Sequence, residues 1–95
     1  MLQISNLIND NGNAAANQFV IRKDNKTYFQ SHGTAICQIE VNDKVTLSQK
    51  WHYSKTTAKH LYMFLRQFGW DVNCQKDVKK LISNGNFAMC ETIKY

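Results

Sequence analysis

The stretch Phe19-Val20-Ile21-Arg22-Lys23-Asp24-Asn25-Lys26-Thr27-Tyr28-Phe29-Gln30 reads as two strands folded around a tight turn. Aromatic and β-branched residues fill both arms. Asp24-Asn25 supplies the residue types that a short hairpin turn accepts. After His32-Gly33 the alternation resumes, with Ala35, Cys37, Ile39 and Val41 on one side and Gln38 and Glu40 on the other. Ile36 breaks that alternation by sharing the polar side. Asn42-Asp43 marks a further turn, and Lys44-Val45-Thr46-Leu47 a fourth strand. An antiparallel meander with one buried face is expected.

On both sides of that meander the chain changes character. Residues 1–16 show no clear period: Ile4, Leu7 and Ile8 have helical spacing over too short a span, and Asn9-Asp10-Asn11-Gly12-Asn13 is rich in turn formers. An irregular N-terminal segment is expected there. Downstream, Ser54 is placed to cap a helix. Ala58, Leu61, Leu65 and Phe68 then recur at three- and four-residue steps, and Gly69 ends the run. A second helix follows Asn73, burying Val78, Leu81 and Ile82, and stops at Asn84-Gly85. Phe87 to Ile93 reads as a last strand. The expectation is an α+β fold of about four or five strands packed on two helices, in the order ββββ-αα-β. With 95 residues, 43% hydrophobic, one domain over 1–95 with a thin core is expected.

Charge is unevenly placed. Four basic and four acidic side chains cancel in residues 1–47, while residues 48–95 hold eight Lys or Arg against three acids and carry the whole net +5. Such asymmetry suggests a face that meets an anionic partner. On the first predicted helix Lys55, Lys59 and Arg66 share a side at offsets of four and eleven, with Tyr62 and Met63 between them. Lys76, Lys79 and Lys80 form a second cluster, and Trp70 stands just beyond the helix-stopping glycine. Lysines neutralise phosphates and aromatic rings stack on exposed bases. Lys55, Lys59, Tyr62, Arg66, Lys76, Lys79, Lys80 and Trp70 are therefore the candidate residues for binding nucleic acid or another partner. The competing reading is a solvated Lys-rich face, since no base-reading motif is present. Trp51 and Tyr53 are expected to plug the junction between strands and helices. Trp70 suits either a core or an interface role.

Catalysis and metal binding find little support. Cys37, Cys74 and Cys90 are widely spaced, and no His or Cys pair has zinc-ligand spacing. Cys74 at a helix start is the best nucleophile candidate, but nothing selects His32, His52 or His60 as its base. No phosphate loop or paired carboxylates stand out. No enzyme, cofactor or metal site is expected. An odd cysteine count, the lack of a signal-type N-terminus and apolar runs too short for a membrane point to the cytoplasm.

Three strings carry a resemblance: Asn17-Gln18-Phe19-Val20-Ile21, Phe29-Gln30-Ser31 and Trp51-His52-Tyr53-Ser54-Lys55-Thr56-Thr57. Together with Lys59, Phe64-Leu65 and Lys80-Leu81-Ile82-Ser83-Asn84-Gly85 they resemble a group of small, functionally uncharacterised proteins found mainly in bacteriophages and prophages. In that group an acidic residue often stands at the position of His52, and Gly-Lys-Tyr at Ala58-Lys59-His60. The resemblance implies a phage-type accessory protein acting in a host cytoplasm and supplies no catalytic residues. Two functions fit: a binding protein that contacts nucleic acid or a nucleic-acid-handling host protein, or an inhibitor docking onto a host defence protein. A homodimer would enlarge the thin core.

Overall fold

Six strands and two helices make up the computed structural model, which describes residues 2–94. The strands are β1 (Gln3–Ile8), β2 (Ala14–Lys23), β3 (Lys26–Ser31), β4 (Thr34–Ile39), β5 (Val45–Ser48) and β6 (Phe87–Cys90). Between β5 and β6 lie α1 (Lys55–Gln67) and α2 (Gln75–Ser83). All six strands join one sheet in sequence order, antiparallel from β1 to β5. β6 is the exception and runs parallel to β5, because the two helices return the chain to the same end before it re-enters the sheet.

The hairpin read first from the sequence forms as expected. Lys23 faces Lys26, and Asp24 and Asn25 take φ of 52° and 66°, the left-handed geometry of a two-residue turn whose twist matches the strands. One correction concerns the N-terminal segment: residues 3–8 are a strand, paired with β2 from Gln3↔Arg22 to Asn6↔Phe19. The irregular element is the turn at 9–13, where the Asn9 side chain accepts from the Asn11 and Asn13 amides. Strand count therefore exceeds the four or five expected. The last strand also ends at Cys90, short of Ile93.

Register explains the broken alternation around Ile36. Phe29 faces Cys37 while Gln30 faces Ala35, so Ile36 is the extra residue of a bulge. Ala35, Ile36 and Cys37 are consequently all buried. Val41 lies beyond β4 and is exposed, against the expectation that it continues the buried row.

Pairing places Val20, Phe29, Cys37 and Leu47 in one row across the sheet. The helices cover that row. Leu61, Phe64 and Leu65 of α1, Val78 of α2 and Phe87 join it in one cluster, with Phe29 and Phe64 stacked at 5.5 Å between ring centroids. Trp51 is buried where β5 leads into α1, as expected. Helix ends match the capping chemistry: Ser54 Oγ accepts from the Thr57 amide at 3.1 Å, and Gly69, at φ 92°, follows the last turn. Neither helix is long and apolar enough to cross a membrane.

Candidate binding groove

Offsets of four, seven and eleven residues put Lys55, Lys59, Tyr62 and Arg66 on one stripe of α1. The opposite, apolar face is pinned to the sheet, so this stripe is held outward. Three segments converge beside it. His52, Tyr53 and Ser54 precede the helix, and Asn73, Cys74 and Gln75 start α2. With Lys55, Ala58, Lys59 and Tyr62 they line a groove of about 480 Å³. Its lining includes two lysines and no carboxylate.

Aromatic side chains flank these cations. Tyr53 is 55% exposed, correcting the expectation that it fills the core beside Trp51. The chain turns there: Trp51 points in, the His52 ring lies tilted against it with centroids 4.2 Å apart, and Tyr53 is left in solvent. Partial burial pushes the Tyr62 phenol above its ordinary range, and the nearby Cys74 and Asp77 add to the shift. Tyr62 is therefore a neutral phenol at physiological pH, able to donate a hydrogen bond.

Arg66 has a different job from its stripe neighbours. Its Nη1 donates to the Val72 carbonyl at 2.9 Å and to Asn73 Oδ1 at 3.4 Å, while Nη2 meets Asp10 Oδ2 at 3.1 Å. One guanidinium thus ties α1 to the β1–β2 turn and to the chain leading into α2. Its charge is matched by Asp10, so Arg66 is a brace first.

The remaining candidates lie outside the groove. Lys76 and Lys79 are exposed on α2. Trp70 packs edge-on against Phe87, with centroids 4.8 Å apart, and is half-buried at the margin of the core. It shares a separate hollow with Lys80, Asp71, Asp77, Leu81 and Asn84, where two carboxylates offset the lysine. The structure thus gathers Lys55, Lys59 and Tyr62, and leaves Arg66, Trp70 and Lys80 in other surroundings.

Cys74 and His52 both line the groove, beside Tyr53, Lys59 and Tyr62. Cys74 is the N-cap of α2 and makes no side-chain capping bond. The Asp77 carboxylate reaches back instead, accepting from the Asn73 amide at 3.0 Å. That bond holds its carboxyl below the ordinary carboxylate range, with smaller help from Cys74 and Lys80. Among the described residues no three His, Cys, Asp or Glu come together as a metal-ligand set.

Over most of the chain, residues 2–80 match a family of unknown function, DUF8033. The chain belongs to that family. The DUF8033 match takes in β1 to β5, all of α1 and α2 as far as Lys80, and so every residue that lines the groove. No curated protein and no solved structure matches the chain.

Proposed function

We propose that the protein is a non-enzymatic binding module that contacts nucleic acid along the groove between α1 and the start of α2, as a phage-type accessory protein would. One observation carries this reading: Lys55 and Lys59 line the same groove as the rings of Tyr53 and Tyr62, with no acid among the lining residues. Lysines at adjacent helical turns suit successive phosphates, and an exposed ring gives a base a surface to stack on. Lys76 and Lys79 on α2 extend the positive field beyond the groove.

The test is binding of a fluorescent single-stranded oligonucleotide by wild type and by a Lys55→Glu/Lys59→Glu variant. Arg66 is left intact because it braces the fold. Binding should be lost while circular dichroism is unchanged. With the milder Lys55→Gln/Lys59→Gln pair, the slope of log K against log salt should fall by about 1.4, at roughly 0.7 per phosphate contact on a single strand. A folded Glu variant that binds as wild type does would sink the proposal.

A second reading rests on Tyr53, a large ring exposed beside Lys55, which also suits the anchor of a protein interface. Here the protein would dock on a host nucleic-acid-handling or defence protein and block it. A pull-down from host lysate, with and without nuclease, separates the readings: a protein retained after digestion favours docking.

A further inference from the structure

We propose that Arg66 is a further phosphate contact beyond the groove, a role that rests on the nucleic-acid reading above, and that Asp10 occupies it as an intramolecular competitor. Lys55 and Lys59 are about 6 Å apart along the axis of α1, and Arg66 stands about 10 Å further along the same stripe. A single-stranded nucleic acid laid over both lysines and continued along the helix meets the guanidinium next. Asn73 joins the two places, since it lines the groove and accepts from Arg66 Nη1.

The guanidinium is already aimed. Nη1 donates at 2.9 Å to the carbonyl of the buried Val72, which fixes the plane of the group. Nη2 is left as the outward donor, and both oxygens of Asp10 converge on it, at 3.1 and 3.5 Å. A carboxylate there stands in for two phosphate oxygens, because the guanidinium fork donates to either anion. The Arg66 and Asp10 side chains are 32% and 66% exposed. An ion pair so open to solvent is weak, so an incoming phosphate can displace the carboxylate.

The exchange leaves the fold intact. Asn9 closes the β1–β2 turn by accepting from the Asn11 and Asn13 amides. Gln67 independently ties the end of α1 to the Ile8 carbonyl at 2.7 Å. The chain carries twelve Lys or Arg and seven acids, yet Arg66–Asp10 is the one ion pair among the described residues. The single neutralised cation thus falls on the stripe that would carry the strand. While Asp10 holds Arg66, an arriving phosphate replaces one anion with another, and the contact adds nothing to the salt dependence. Without that carboxylate, Arg66 counts as a full phosphate contact.

The experiment titrates a fluorescent single-stranded oligonucleotide with wild type, Asp10→Asn, Asp10→Glu and Asp43→Asn over a series of salt concentrations. Asp10→Asn should bind about two- to fivefold tighter, and its slope of log K against log salt should steepen by about 0.7. Asp10→Glu keeps the charge and should bind as wild type does. Asp43→Asn, in the β4–β5 turn and outside the groove lining, changes net charge equally and should leave the slope as it was. An Asp10→Asn protein that gains no more than Asp43→Asn overturns the proposal and leaves the nucleic-acid reading standing. So does an Asp10→Glu protein as tight as Asp10→Asn. No binding by wild type or any variant sinks both readings together. Should Asp10→Asn fail to fold, wild type decides by NMR: the Arg66 side-chain signal should shift as oligonucleotide binds, and a signal that stays in place overturns the contact.

Discussion

The two helices share the task of lining one groove, yet they are held in very different ways. α1 buries six residues, Thr57, Ala58, Leu61, Met63, Phe64 and Leu65, whereas α2 buries only Val78 fully. The start of α1 is tied into the sheet by hydroxyls: Ser54 Oγ donates to Thr57 Oγ1 at 3.1 Å, and Thr57 Oγ1 lies 3.0 Å from Ser31 Oγ on β3. α2 has no side-chain cap from Cys74 and depends on Asp77 and on the brace from Arg66. Cations on α1 therefore stand on a fixed base. Those on α2 sit on an element with few buried contacts, the kind that opens locally at low free energy.

Core truncation should expose this contrast most strongly. Phe64→Ala removes a fully buried ring stacked on Phe29 and is expected to lower stability by about 3–5 kcal/mol. Val78→Ala removes the one fully buried side chain of α2 and should lose only about 2 kcal/mol. Urea unfolding of both variants checks the ranking. Equal losses would mean that α2 is anchored as firmly as α1, through Leu81 and Ile82 at the core margin.

What could be read from sequence divides along the same line. The meander from Phe19 to Leu47 and both helix boundaries were legible because period, turn residues and caps are local signals. β1 was hidden because its exposed Ile4 and Ile8, with only Leu7 buried, do not alternate as a half-buried strand should. An edge strand with a bulge between Asn6 and Ile8 leaves little pattern to find. For the groove, helical spacing sufficed to put Lys55, Lys59 and Tyr62 on one stripe. It could not reveal that Arg66 on that stripe is matched by Asp10, far away in sequence. Nor could it show that Trp51 is buried and Tyr53 exposed, since both are large aromatics in one short bend.

Capping offers a finer test of the same contrast, with effects of opposite sign. Ser54→Ala deletes the acceptor for the Thr57 amide and should lower stability by about 1 kcal/mol. Cys74→Ser puts a hydroxyl acceptor at an N-cap whose side chain makes no such bond, and should raise stability by about 0.5–1 kcal/mol. Thermal melts of the two variants report the signs directly. A stabilised α2 start should also sharpen the groove, since Cys74 lines it.

The smallest effect expected is the pH dependence of Asp77. Its folded pKa is lowered, chiefly by the Asn73 amide, so folding favours the charged carboxylate. That stabilisation is fully present above the ordinary carboxylate value of about 3.9 and is lost as pH falls through the lower folded value. Asp77→Asn keeps an acceptor for the amide but removes the titration. Melting temperatures of the two proteins should therefore differ near neutrality, with wild type higher, and converge at the acid end. Curves that stay parallel through the acid range would show that Asp77 does not stand in for the missing N-cap. The start of α2 would then depend on Arg66 and Val78 alone, leaving the two helices still more unlike.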